Sequence, residues 1–198
     1  MTAQLLQTPQ PQAATLIHNV SWQQLEEIDH ALSKFGRFRF AYLDGTLELM
    51  PVSNDHEDFK KTIAILLEAY MRAMGIRFYG RGAPTMGTQE QDARKEPDES
   101  YNINTRKAFP DLVIEVVFTS GGVDKLEIYR RLGVREVWFW EDGVLAIYEL
   151  NGDELDGERY TKVAKSNLLP QLPIDTFLRY VTYHDQYDAV TEFLAEIR

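Results

Sequence analysis

One stretch constrains this chain more than any other: residues 112–118, Leu-Val-Ile-Glu-Val-Val-Phe. β-Branched and aromatic residues fit a pleated surface. An apolar run without polar alternation reads as a central strand covered on both faces. Glu115 interrupts it. A carboxylate in such a strand is costly unless it is protonated, paired with a cation or bound to a metal. A second acidic residue, Asp98, follows Pro97 at the start of a predicted strand over 98–103. Neighbouring strands lie about 4.8 Å apart, so Asp98 and Glu115 can meet. Two carboxylates that close repel unless a divalent cation sits between them. All-oxygen ligation suits Mg²⁺ or Mn²⁺. The bland alternative is Glu115 at a strand end or in a salt bridge with an arginine.

The rest of the pattern is a mixed α/β domain with a central sheet. Residues 1–14, with four Gln and two Pro, read as a disordered tail, leaving 15–198 as one domain. Ser21 and Gln24 form a capping box, with Leu25, Ile28, Leu32 and Phe35 at helical spacing and Gly36 as the stop. Alternation on either side of Asp44-Gly45 predicts a hairpin over 37–50. Ser53, Asn54 or Asp55 caps the longest amphipathic helix, striped by Phe59, Ile63, Leu66, Leu67, Tyr70, Met71 and Met74 and closed by Gly75. A strand is expected at 76–79, then a glycine-rich loop or bulged strand over 80–87. A short helix carries Lys125, Leu126, Ile128, Tyr129 and Leu132 and ends at Gly133. A second hairpin turns at Asp142-Gly143, 151–158 is an acidic turn, and the last helix starts near Asp185 after two Pro-flanked segments.

Net charge is −10 over 198 residues, which opposes a surface-wide nucleic-acid binder. The charge is uneven, however. Residues 60–135 hold thirteen Lys and Arg against ten Asp and Glu, the one stretch that can meet a phosphate backbone without repelling it. There is no cysteine, which excludes thiol catalysis and Cys-ligated metals. No apolar run approaches the roughly 20 residues of a membrane span, and no signal peptide is evident, so a cytoplasmic location is expected. Phosphate-loop, dinucleotide, nucleophile-elbow and His-Glu-x-x-His motifs are missing from the sequence.

Further candidates surround the carboxylate pair. Lys125 opens the helix after the Glu115 strand, where an ammonium can orient a water or offset phosphate charge. Asp111 starts the Glu115 strand after Pro110, a place where aspartate commonly makes a turn bond. Glu48 lies on the second hairpin strand and, by alternation, points away from Leu47 and Leu49. His56 sits in the first turn of the long helix, where the dipole disfavours imidazolium and leaves a neutral acceptor. His18, His30 and His184 are scattered along the sequence and are not assigned to the site.

Several ordered motifs share one resemblance. They are residues 44–51 (Asp-Gly-Thr-Leu-Glu-Leu-Met-Pro) with Ser53 and His56, Glu96-Pro97-Asp98-Glu99, and residues 110–116 (Pro-Asp-Leu-Val-Ile-Glu-Val) with Thr119-Ser120. Residues 124–129 (Asp-Lys-Leu-Glu-Ile-Tyr), 132–134 (Leu-Gly-Val) and 136–138 (Glu-Val-Trp) complete the set. Over roughly residues 20–180 the chain resembles the Uma-two family of restriction-endonuclease-like proteins, in the PD-(D/E)XK nuclease superfamily. The resemblance implies an α/β restriction endonuclease-like core, a mixed central sheet flanked by helices. It implies that Asp98 and Glu115 hold Mg²⁺ (or Mn²⁺) and that the protein is a DNA endonuclease. The superfamily lysine falls two residues after the glutamate, where this chain has Val117. Lys125 resembles the family's downstream lysine, and the resemblance implies that it is the migrated replacement. Glu48 and His56 match further family positions, Glu48 aiding through a second metal or water and His56 as an orienting or acid–base group. A homodimer would pair two sites for cutting both strands. The rivals are a non-catalytic nucleic-acid- or protein-binding module of the same fold, and a hydrolase of a small phosphoester.

Overall fold

The two Asp-Gly turns organise the chain. Asp44 and Gly45 adopt φ of 46° and 77°, and Asp142 and Gly143 adopt 47° and 82°. Two positive φ values in succession match the twist of a two-residue hairpin. The first turn joins β2 (Phe38–Leu43) to β3 (Thr46–Pro51), and the second joins β9 (Glu136–Glu141) to β10 (Val144–Asn151). The computed structural model describes residues 14–34, 38–51, 54–117, 122–152, 157, 159–183 and 185–197. Residues 1–13 of the tail expected over 1–14, the Gly36 stop, the Ser53 cap, Thr119-Ser120, His184 and most of the acidic turn lie outside them.

The hairpins belong to two different sheets. The first extends β1 (Thr15–Ile17), β5 (Met86–Thr88) and β6 (Ala93–Lys95) into a five-stranded sheet in the order β1-β3-β2-β6-β5. The second joins β4 (Phe78–Gly80), β7 (Glu99–Ile103), β8 (Leu112–Val116) and β11 (Arg159–Val163) into a six-stranded sheet, β11-β10-β9-β8-β7-β4. Among the described strands, β8 and β9 run parallel and the other neighbours antiparallel, so this central sheet is mixed. All five residues of β8 are buried, as its unbroken apolar character requires.

Helices cover the sheets in layers. α1 (Trp22–Leu32) begins with the Ser21–Gln24 capping box and packs Leu25 on Phe40, Tyr42 and Leu47 of the five-stranded sheet. α2 (Asn54–Ala73), α4 (Ile174–Val181) and α5 (Gln186–Glu196) cover one face of the central sheet. There Leu66, Leu67 and Tyr70 meet Tyr101, Ile114 and Trp138. The opposite face packs Val113 and Val137 against α3 (Lys125–Arg131) and against Ala41, Met86 and Ala93 of the other sheet. The fold is α/β: a mixed central sheet flanked by helices, with a second sheet closing part of one face.

Some elements differ from the sequence pattern. The strand expected at 76–79 begins two residues later, and the glycine-rich loop or bulged strand expected over 80–87 runs into β5. Gly87, at φ 118°, explains that hairpin: a Cβ there would stand 2.0 Å from Ala93 O, so only glycine lets β5 approach β6. One of the Pro-flanked C-terminal segments is α4, started by Pro173.

Candidate active site

The site forms where the two sheets face each other. Glu115 and Val113 share the face of β8 that looks toward α3 and the five-stranded sheet. Glu99 pairs with Ile114, so Asp98 stands beside Glu115 at the head of β7. The Val116 N–H donates to Asp98 Oδ2 at 2.6 Å, locking the aspartate against the glutamate's strand. In the facing sheet, Glu48 of β3, Ala41 of β2 and Lys95 of β6 form one cross-strand row. Arg39 lies two residues from Ala41 and shares that row's face.

Glu115 is 2 % exposed and is surrounded by cations. Lys95 Nζ lies 3.2 Å from its Oε1, and Lys125 Nζ lies 3.8 Å from its Oε2. The Tyr129 hydroxyl donates to Oε1. Lys125 and Tyr129 are one helical turn apart and so present one face of α3 to the carboxylate. Asp98 Oδ1 pairs with the Arg39 guanidinium, whose other terminal nitrogen reaches Glu57 of α2 at 2.8 Å.

This burial moves protonation. Desolvation pushes the Glu115 carboxyl up, but the Lys95 and Lys125 ammonium groups and the Tyr129 hydroxyl outweigh it and hold the carboxyl below its ordinary range. Burial pushes the Lys95 ammonium down to about 8, against the pull of Glu115. Burial and the adjacent carboxylate drive the Tyr129 hydroxyl well above its ordinary value. Glu48 is fully buried: the Val123 N–H donates to its Oε2 at 3.4 Å, and its Oε1 has no hydrogen-bond partner among the described residues.

Asp98, Glu115 and Lys125 therefore converge, and Glu48 sits in the sheet that faces them. His56 lies in the first turn of α2, and its side chain falls outside the described residues. Asp111 is occupied elsewhere, accepting from Ile103 N–H at 2.9 Å and pairing with Lys107. Three close side chains were not singled out from sequence: Lys95, Arg39 and Tyr129. The four-residue spacing of Lys125 and Tyr129 was a usable signal. Lys95 and Arg39 reach the site through sheet-to-sheet packing, which leaves no local signature.

The donor set suits a hard divalent ion. Mg²⁺ commonly takes one or two carboxylates and completes its shell with water and phosphate oxygens. Asp98 and Glu115 supply such a pair, and Glu48 Oε1 is a buried acceptor without a donor among the described residues. Among the described residues, no three His, Asp or Glu side chains gather closely enough to enclose an ion by themselves.

Comparison with known proteins adds the family. A family model described as "Putative restriction endonuclease" matches residues 22–178. The chain belongs to the Uma2 family. Among solved structures, a "putative nuclease belonging to DUF820" from Anabaena variabilis is similar, with a TM-score of 0.42 and 13% identity, covering 78% of this chain and 90% of that one. No curated protein matches the chain. Among the described residues, no helix is long and apolar enough to cross a membrane. This Uma2-family chain thus places two strand carboxylates and a helix lysine in one buried cluster.

Proposed function

We propose that this Uma2 protein is a Mg²⁺- or Mn²⁺-dependent DNA endonuclease. The observation that carries the proposal is the convergence of Asp98, Glu115 and Lys125. Asp98 and Glu115 would hold the ion, with Glu48 as a third acidic group acting through water or a second ion. When bound, the ion lowers the pKa of a coordinated water and neutralises charge on the scissile phosphate.

The chain's own residues do the rest. Lys125 is 11% exposed at its side chain and Lys95 only 1%, so Lys125 is the ammonium able to reach a phosphate entering the site. There it offsets the charge that develops as the phosphodiester is attacked. Lys95 and Tyr129 keep Glu115 ionised and in place. Arg39 fixes Asp98 in the rotamer that lies against β8. His56 is assigned an orienting or acid–base part in the first turn of α2.

A second reading has its own support. Val117 stands where the superfamily lysine is expected, and the Glu115 oxygens already have three partners. A nucleic-acid- or protein-binding module without catalysis fits those facts. A plasmid-nicking assay with Mg²⁺ or Mn²⁺ separates the two. The endonuclease converts supercoiled DNA to nicked or linear forms, and Glu115→Ala and Lys125→Ala abolish this. Retention of DNA with no cleavage in either metal selects the binding module. Cleavage by Glu115→Ala at the wild-type rate rejects the site assignment.

A further inference from the structure

The edge of the central sheet remote from the hairpins carries a second feature. β4 is the terminal strand, and its pairing continues on both sides through Asn104 N–H to Arg77 O (2.7 Å) and Arg81 N–H to Ser100 O (2.9 Å). Arg77, Tyr79 and Arg81 alternate with Phe78 and Gly80 along this edge, so they share one face. Phe78 packs into the α2 side of the core, which sends the other three to the opposite face.

That face is the one on which Glu115 lies. Tyr79 pairs with Asn102, Ser100 pairs with Val113, and Val113 shares its side of β8 with Glu115. A third cation joins from the loop after β7: Arg106 lies over the Tyr79 ring, its Cζ 5.0 Å from the centroid. Arg81 ties this loop to the strand, donating to Lys107 O and Ala108 O at 2.7 Å each. Arg77, Arg81 and Arg106 are exposed, and none forms an ion pair with a described carboxylate. Lys107 differs, being neutralised by Asp111.

In a chain of net charge −10, three unneutralised arginines and a tyrosine on one sheet edge are a local reversal of sign. Only two strand spacings, roughly 10 Å, separate this edge from β8. We infer that the Arg77–Tyr79–Arg81–Arg106 ladder is a docking track for the phosphate backbone of a nucleic-acid strand whose neighbouring segment lies at Glu115. The partner's identity rests on the nuclease reading. The charge complementarity and shared face are independent of it. Guanidinium groups suit phosphate because their fork of donors matches its oxygens.

The test is binding, not cutting. Fluorescence anisotropy with a labelled oligonucleotide, single-stranded and annealed, is measured on the full chain in EDTA and again in Ca²⁺ over a salt series. Arg77→Glu with Arg106→Glu is compared with the wild type and with Arg77→Lys with Arg106→Lys. The expected result is a ~10-fold or greater loss at low salt for the Glu pair, a log–log salt slope shallower by about two, and near-wild-type binding for the Lys pair. Binding that the Glu pair leaves unchanged in affinity and slope overturns the track while sparing the nuclease reading. No binding by the wild type in any condition overturns both. Circular dichroism melting of the Glu pair, at exposed positions, is expected to match the wild type. A lowered melting temperature that tracks the binding loss assigns the arginines to structure and rejects the track.

Discussion

Two buried glutamates sit on adjacent strands of the central sheet and are satisfied in opposite ways. Glu136 of β9 is 1% exposed, and neutral donors saturate it: Trp138 Nε1 at 2.9 Å, Ser166 Oγ at 2.7 Å, and the N–H groups of Asn167 and Leu168 at 2.7 and 2.8 Å. Glu115 of β8 is as deeply buried, yet two ammonium groups and a phenol surround it. Glu136 ties the segment after β11 to the sheet, using backbone groups that cannot move without local unfolding. Glu115 is held by side chains from β6 and α3, of which Lys125, the more exposed ammonium, can turn toward another anion or yield to another cation. Burial alone therefore does not mark a reactive carboxylate. What marks it is the charge and freedom of its partners.

The largest expected effect breaks the rigid member. Glu136→Leu leaves an indole, a hydroxyl and two backbone N–H groups without acceptors, and a loss of about 3–5 kcal/mol is expected in urea denaturation. Any nuclease activity should fall only as folded protein is lost. Glu115→Gln should behave in the reverse order: cleavage falls by ~10²-fold or more, while stability drops by only about 1–3 kcal/mol. Adding Lys95→Met to Glu115→Gln removes the stranded ammonium and should recover part of that stability. A double-mutant cycle measures the recovery.

The pH dependence sharpens the contrast further. Lys95 has a folded value of about 8, below the ordinary lysine value of 10.5. Between these the unfolded chain binds more protons, so stability rises with pH from about 8 toward 10. Lys95→Met should flatten that rise in urea midpoints. Glu115 acts at the other end: its folded value lies below the ordinary 4.5, so its contribution is complete above that pH and is lost as pH falls through the lowered value. The smallest effects compare single donors. Tyr129→Phe and Ser166→Ala should each cost about 1 kcal/mol. Only Tyr129→Phe should also weaken Mg²⁺ binding measured by calorimetry.

Much of the fold was legible because its signals are local. The Asp-Gly pairs at 44–45 and 142–143, the Ser21 capping box and the Asp185 cap all act within a few residues. The α2 stripe and the unbroken apolar β8 report burial directly. Strands β1 and β6 carried no signal of their own, because segments so short, without a marked pattern, are held as strands by their partners. β11 borrows its conformation from β10 in the same way.

The same division runs through the site. From sequence alone, a glutamate inside a buried strand requires a compensating charge, and Asp98, arriving on a neighbouring strand, compounds that need. These follow from the cost of burying charge, which depends on residue type and burial, and both can be read along the chain. Which groups answer the need was decided by tertiary structure. Lys95 and Arg39 reach Glu115 and Asp98 because a second sheet packs face to face on the first. The distance across that gap depends on the packing of whole elements and on no residue's immediate neighbours.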